Sequence, residues 1–459
     1  MKKARTHKNV KWILFLLVVI LTASCMAACS SESEPGKMLT DSTFRSDSEA
    51  VESGGQEGKA EKTDDINPPT LPEYTPVDPA SVPDSPEGDF IIETAGGCAY
   101  ISGYQGSGGR VKIPKSLGGE DNIVIHDDAF KKNESITWIY LPETVTYIPK
   151  KAFLNCKALE EAIICGTDVS EAAFKGCEAL RRVELGEGCT VIGGGMDSGA
   201  FQSCTNLTEI AFPSTLTSIN TSAFMDCMYL ETVDLSGTQM RKIGQQAFTG
   251  CTSLKNLSLP ASLSAGEHEG ISSNAFLRCP SINNVQISED NSYLRLDNGV
   301  LYCDASLILK FQGYDNPEVS IAEGTTSISA NAFEYDERLK SVKIPDSVET
   351  IGRLAFSGCS NLEEVVFGTG LAVIEQEGFS GCVSLKKVNL PDNEIELGSG
   401  AFYGCKSLEK VLLPEKVNFY GNNTLEDEFS QCENTVFTYK GKEYTYDMAA
   451  ELDAAISGN

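Results

Sequence analysis

Ala332 to Phe356 reads AFEYDERLKSVKIPDSVETIGRLAF, opening on one Ala-Phe pair and closing on the next, 23 residues later. The same phrase runs on as Ala355 to Phe379 and as Gly378 to Phe402. A Phe in this slot recurs at positions 130, 153, 174, 201, 224, 248, 276, 333, 356, 379, 402 and 429, mostly at intervals of 21 to 28 residues. A period of that length marks a stacked repeat rather than a single closed core.

One repeat reads A-F-x-x-C-x-x-L-x-x-(V/I)-x-(L/I)-P-x-x-(V/L)-x-x-I-x-x-x-A-F. After Phe356 come Cys359, Leu362, Val365, Phe367, Leu371 and Ile374. The step from Val365 to Phe367 has period 2, the spacing of a strand with one inward face. Proline follows at 142, 213, 260, 345, 391 and 414, with Gly186 and Gly368 in the same place elsewhere, and proline ends a strand. The apolar residues then fall three to four apart, which predicts a helical turn or an irregular bend. One unit of this size cannot bury its own apolar side, whereas stacked units cover one another. The pattern therefore predicts an α/β-type leucine-rich solenoid with a ladder of short parallel strands and repeats of about 23 residues. At about 4.8 Å per strand step, a dozen such repeats extend roughly 60 Å.

The slot-by-slot phrase A-F-x-x-C-x-x-L-x-x-V-x-L-P resembles the BspA-type (Treponema-pallidum-type) leucine-rich repeat family, and it recurs across residues 90 to 432. Phe90 to Phe130 is similar to that family's opening module, and Asp290 to Tyr314, with its Asp-Asn-Gly-Val-Leu-Tyr phrase, is similar to its inserted hairpin. The resemblance implies a secreted or surface-displayed bacterial protein whose relatives act in adhesion and host-protein binding. It names no ligand.

Ten of the sixteen cysteines, Cys156, Cys177, Cys204, Cys227, Cys251, Cys279, Cys359, Cys382, Cys405 and Cys432, share the slot three residues after the Phe. In a solenoid that slot points inward every time. Thiols are small, often buried side chains and weak donors to carbonyl oxygens, so a structural ladder is expected. Parallel side-chain vectors suit a disulfide poorly. Asn133 and Asp336 fill the slot in two repeats, which fits hydrogen bonding better than bridging. No C-x-x-C cluster suggests a metal. Cys98, Cys165, Cys189 and Cys303 fall outside the ladder, and their pairing stays open.

Residues 1–29 read as a lipoprotein-type signal peptide. Lys2, Lys3, Arg5, Lys8 and Lys11 precede an unbroken apolar run from Trp12 to Leu21, too short for a comfortable permanent span. Met26-Ala27-Ala28-Cys29 resembles a bacterial lipobox, with Met26 where Leu is usual, and makes Cys29 the expected lipidated thiol. Thr22-Ala23-Ser24-Cys25 competes with it, and plain cleavage is a third possibility. Residues 30–89 hold fifteen acidic against four basic residues and end in a Pro-rich third, a composition that predicts a disordered tether. Residues 90–129 are expected to cap the solenoid of 130–432, which carries an insert near 289–320 read as a degenerate repeat plus a projecting hairpin. Residues 433–459 close the other end, with a turn at Lys440-Gly441-Lys442 and a short helix over 447–456 for which Asp447 is the expected N-cap.

The chemistry on offer is sparse. The three histidines, His7, His126 and His268, are scattered. No phosphate-cradling G-x-x-x-x-G-K loop occurs, and the Gly193-Gly194-Gly195 run reads as loop. Neither a catalytic set, a cofactor nor a metal is expected. Binding is left to the outward residues of the strands. These are Trp138 and Tyr140, Glu161 and Ile163, Arg182 and Glu184, Glu209 and Ala211, Thr232 and Asp234, Asn256 and Ser258, and Asn284 and Gln286. After the insert come Ser341 and Lys343, Glu364 and Val366, Lys387 and Asn389, and Lys410 and Leu412. Trp138, Tyr140, Glu161, Arg182, Glu184 and Glu209 form the candidate ligand patch, because an outward aromatic pair in a polar column fits a binding hot spot. The alternative is that the pair packs at the junction with the N-terminal module.

Of the net −28, the leader contributes +5 and the tether −11, leaving −22 on residues 90–459. Such a surface repels nucleic acid and anionic headgroups at long range. The expectation is a non-enzymatic, monomeric surface protein, held to the membrane only by lipid, that binds an extracellular or host protein or glycan. A structural component of the cell envelope is the second reading, and a polysaccharide-active enzyme the third.

Overall fold

The computed structural model describes residues 71–193, 198–264, 270–421 and 423–458. Cys25, Cys29, residues 30–70, Gly194, Gly195 and His268 lie outside them. Each repeat is one coil with three sides. The first side is the expected ladder. Ile136–Leu141, Glu161–Ile164, Arg182–Leu185 and Glu209–Ala211 pair in parallel, one coil per step. After the insert, Glu318–Ser320 begins a second run that reaches Val436–Tyr439. The alternation does what period 2 requires: Val342, Val365, Val388 and Val411 point inward and are buried.

The second side departs from expectation. Where a helical turn or bend was predicted, a second parallel ladder runs through Val191–Ile192, Ser218–Ile219, Lys242–Ile243 and Gly270–Ile271. The spacing misled because each of these strands is two residues long, too short to show alternation. The preceding Leu or Val sits in a turn, as where Val348 N–H donates to Pro345 O at 3.2 Å. The α-helices among the described residues are Leu425–Glu428 and Ala449–Ser457, so the coils are strand and turn.

The third side is a chain of tight turns. Cys359 N–H reaches Phe356 O at 3.2 Å and Leu362 N–H reaches Cys359 O at 3.0 Å. The second residue after each Phe lies in the left-handed region, glycine at 358, 381 and 404 but Asn155, Asp226 and Tyr335 in other coils. This geometry aims every Phe inward. The rings stack coil on coil at centroid spacings of 4.7 to 5.4 Å, within 14° of parallel, from Phe130 to Phe276 and again from Phe333 to Phe429. Each ladder thiol donates to the carbonyl oxygen of the preceding coil's Phe at 3.0 to 3.3 Å, from Cys156 to Phe130 through Cys432 to Phe402.

The insert is not a projecting hairpin. Leu294–Asp297, Val300–Cys303 and Ser306–Lys310 form an antiparallel meander, and its last strand joins the second ladder beside Ser327–Ile328. Leu301, Leu309 and Phe311 pack on the preceding core, whereas Val300, Tyr302 and Leu307 pack on the following one. Val300–Cys303 is buried on both faces because it separates two cores. Its order repeats that of the opening module. There, Phe90–Ala95 and Cys98–Tyr104 pair antiparallel, Cys98–Tyr104 runs parallel to Ile123–Ile125, and Gly109–Lys112 starts the first ladder. The chain is two solenoid runs, each begun by the same device.

At the C-terminal end, Val436–Tyr439 and Lys442–Thr445 form the expected hairpin. The helix starts at Ala449, after a 3-10 turn over Tyr446–Met448. Asp447 is not its N-cap, because its carboxylate accepts the Thr445 hydroxyl. Glu428 beside this end is buried and takes Ala401 N–H at 3.2 Å; burial lifts its carboxyl to about 7. No helix among the described residues is long and apolar enough to cross a membrane.

Asp336 shows what the Cys slot demands. Its Oδ1 accepts Arg338 N–H, while Oδ2 pairs with Lys310 Nζ at 2.6 Å, both side chains being buried. Removing one member of a buried pair strands the other charge. Asp336→Ala should therefore cost about 3–5 kcal/mol in urea unfolding, and Lys310→Met with Asp336→Cys should recover most of it. An unchanged midpoint for Asp336→Ala would show that the pair is solvated.

Candidate binding face

The first ladder places its outward residues in two columns. Register aligns Trp138, Glu161, Arg182 and Glu209 in one, and Tyr140, Ile163, Glu184 and Ala211 in the other. The six residues of the candidate patch are thus brought together. Trp138 and Tyr140 stack at 6.2 Å. Arg182 bridges three acids: Nη1 to Glu161 Oε1 at 2.5 Å, Nη2 to Glu184 Oε2 at 2.6 Å, and Nε to Glu209 Oε2 at 3.5 Å.

The patch is not open to solvent as expected. Trp138 is 2% exposed and Glu161 0%; Tyr140 and Arg182 are half-buried and Glu209 alone is well exposed. The cover is residues 71–89, the Pro-rich end of the segment read as a disordered tether. This strap crosses the first strands in extended form, interrupted by a 3-10 turn at Pro79–Ser81, which Asp78 caps through Ala80 N–H at 2.9 Å, and by a second at Glu87–Asp89. Val82 packs with Trp138 and Ile163, flanked by Val77, Tyr140 and Cys165. Tyr74 OH and Val77 N–H donate to Glu161 Oε2 at 2.7 and 3.1 Å. Burial, with Glu161 beside it, pushes the Tyr74 phenol upward. Arg181 lies 5.7 Å over the Tyr74 ring. Lys112 Nζ donates to Pro79 O and Val82 O, both at 3.2 Å, and a further pair joins Ser85 N–H to Lys112 O at 2.9 Å.

Tyr74, Val77, Val82 and Lys112 are the residues that sequence reasoning missed. The available signal was a bulky aromatic pair on a face that otherwise carries polar side chains, which requires a cover. Beneath the strap, the Trp138 indole N–H finds no acceptor among the described residues although it is buried.

Beyond the strap the face is open. Thr232, Asn256 and Asn284 form an amide ladder, with Asn256 Nδ2 on Thr232 Oγ1 at 3.2 Å and Asn284 Nδ2 on Asn256 Oδ1 at 2.9 Å. In the second run, register aligns Lys343 with Val366 and Asn389 with Leu412. Val366 is 47% and Leu412 45% exposed. Lys343, Glu364, Lys387 and Lys410 around them are exposed too. His126 is exposed; its backbone N–H donates to Ile101 O, its ring rests edge-on against Tyr100 at 5.5 Å, and Asp128 pairs with Lys131. Among the described residues no group of three or more His, Cys, Asp or Glu is placed to hold a metal.

Comparison with known proteins gives one family. The BspA type leucine-rich repeat region matches residues 111–197, 167–298 and 318–445, in six copies, over more than half of the chain. No curated protein matches. Among solved structures, a leucine rich cell surface protein from Faecalibacterium prausnitzii A2-165 is 24% identical, with TM-score 0.55 over 79% of this chain and 96% of that one. A leucine-rich repeat protein from Bacteroides ovatus is 24% identical, with TM-score 0.52 over 76% and 98%. The pneumococcal vaccine antigen PcpA is 19% identical, with TM-score 0.56 over 79% and 94%. Likenesses at these identities establish the fold.

The thiols give a check on burial. All fourteen cysteines among the described residues are free, and twelve are buried. Burial pushes Cys432 and Cys189 up to about 12, far from the thiolate that reacts. With Cys25 and Cys29 replaced by Ala, a thiol reagent on the native chain should label Cys98 first and Cys165 slowly, and the other twelve only on unfolding. Fast labelling of ladder cysteines would contradict their placement.

Proposed function

This chain belongs to the BspA-type leucine-rich repeat family, and on that premise we propose that it is a bacterial surface protein, lipid-anchored through Cys29. On this reading it works as a monomer and binds extracellular proteins or glycans, host molecules among them, through its first strand ladder. It is a binding protein, not an enzyme. The observation that carries the reading is the open face of the second run, where Val366 and Leu412 stand exposed in one column with Lys343 and Asn389. Two apolar side chains standing on one column, with charged side chains around them, offer anchors inside a polar rim. Lys343, Lys387 and Lys410 against Glu364 also make this strip locally basic on a strongly acidic molecule, so its partner should present acidic groups at contact. The surface location draws support from the Faecalibacterium neighbour being a cell surface protein and from PcpA being a vaccine antigen.

The reading is tested on a panel of immobilised matrix proteins, mucins and bacterial wall polymers. The expected result is saturable binding to a host component that falls at least tenfold in a Val366→Glu, Leu412→Glu variant of unchanged melting temperature. Binding to wall polymer alone would favour an envelope component. Indifference to both substitutions would remove this strip from the site.

Anchoring has its own test. Wild-type chain expressed in bacteria should partition into detergent on phase separation, because two acyl signals hold stably where one does not. Cys29→Ala should stay aqueous; if Cys25→Ala does so instead, the lipidated thiol is misassigned.

A further inference from the structure

We propose that residues 71–86 are a built-in pseudo-ligand. The strand face beneath them is a peptide groove, and its external occupant is an extended, proline-rich polypeptide segment bearing a tyrosine. This rests on the surface-binding reading above and adds a second, covered site to it.

The strap is held as a ligand is held. Pro72, Pro76, Pro79 and Pro83 remove backbone donors at short intervals, so the segment cannot add to the sheet as a strand. It is fixed by the Tyr74 and Val82 side chains and by single bonds from its backbone to Glu161 and Lys112, contacts of the kind by which preformed proline-rich segments are read. Glu161 lies at the centre of the groove with its carboxylate fully buried. Of its three donors only Arg182 belongs to the face; the Tyr74 hydroxyl and the Val77 N–H come from the strap. A strand face that existed merely to be covered would need no buried charge whose partners lie on the cover.

The fit is also incomplete. The Trp138 indole N–H is buried under the strap without an acceptor among the described residues. A buried donor left unmade is unfavourable, and an incoming segment that sets a carbonyl there gains a bond the strap lacks. The strap competes through proximity instead. It is joined directly to the opening module at Phe90, and a short connection holds a segment at millimolar effective concentration. Its Tyr74 to Val82 portion can peel away while the Ser85–Lys112 pairing next to the module stays in place.

The test uses the full chain carrying Trp12→Phe, so that Trp138 is its single tryptophan. Tyr74→Phe with Val77→Glu unlatches the strap. The probe is the labelled synthetic peptide LPEYTPVDPASVPDSP, the sequence of residues 71–86. Unlatching should red-shift Trp138 emission, and peptide should reverse the shift. The peptide should bind the unlatched chain at least tenfold more tightly than wild type. A Tyr→Phe peptide should bind about tenfold more weakly, as loss of a hydrogen bond to a charged group implies.

A second route avoids any question of folding. A protease site placed between Glu87 and Gly88 lets the strap be cut after the chain has folded, and the cut strap should then exchange with labelled peptide. An unlatched chain with wild-type melting and exposed Trp138 that ignores the peptide would overturn the groove, as would a cut strap that never exchanges. A dimer formed by swapping straps would make the occupant a second copy and overturn the external partner. None of these results touches the panel result at Val366 and Leu412, so the two readings fail separately.

Discussion

A Phe ring pointing into a coil of about two dozen residues is covered face-on by the ring of the next coil. Parallel stacking along the solenoid makes every coil the lid of the one before. Inside each run the Phe carbonyl accepts two bonds, one from the N–H of its own coil's slot residue, as Phe356 does from Cys359 at 3.2 Å, and one from the next coil's thiol, as Phe356 does from Cys382. That leaves the slot three residues on with a narrow requirement. It must be small, largely apolar and able to donate once. Cysteine satisfies all three, which accounts for so many unpaired thiols without redox chemistry.

The same constraint explains the insert. A stack in which each unit covers its neighbour exposes core wherever the run begins. The first run begins under an antiparallel hairpin at Phe90–Tyr104, and the second under the meander of 294–310. The Phe column breaks at this junction: Phe276 meets Phe311 edge-on at 61° instead of in parallel. Here too the Cys slot is taken by Asp336, because Lys310 reaches into it from the meander. A buried ion pair contributes little net stability over an apolar pair, yet it makes a mismatched stacking of the two runs costly. The junction is where such register control is needed, since Val300–Cys303 is buried on both faces and its apolar contacts alone set no offset.

The coils were legible in the sequence because each of their inward slots repeats. Phe, Cys, Leu and the strand Val recur at fixed offsets, and register then places the outward residues unambiguously. Trp138, Glu161, Arg182 and Glu209 could be assigned to one column before any coordinates. The second ladder was not legible, since a two-residue strand such as Ser218–Ile219 carries no period. The meander's role was hidden for a related reason: Val300–Cys303 is buried at every position, so alternation could not tell which face was in. The strap was hidden by averaging. Over residues 30–89 charge dominates the composition, but the handles that dock, Tyr74, Val77 and Val82, all lie in the last third. Their partners are 30 or more residues away in sequence, and no local rule connects Val82 to Trp138.

The two ends of the first ladder differ in what water will tolerate. In the second run, Val366 and Leu412 stand apart with Asn389 between them, and isolated apolar side chains on a surface cost little. In the first, Trp138, Tyr140 and Ile163 are contiguous, and bare they would form an apolar patch beside a carboxylate and a guanidinium. Covering them requires a segment that is apolar toward the ring pair, donates to Glu161 and tolerates a basic edge at Lys112 and Arg181. Residues 71–86 meet each condition, with Val82, with Tyr74 and Val77, and with Asp84, which lies 3.6 Å from Lys112. So few partners per condition make the cover specific, and also easily lost. From Tyr74 to Val82 each contact is a single bond or a single side chain and none is a backbone bond to a strand; the Ser85 N–H to Lys112 O bond and the link at Phe90 keep the segment near. A cover fixed by the sheet would be permanent, whereas one fixed by side chains, with proline excluding the sheet, is held only as firmly as a bound peptide.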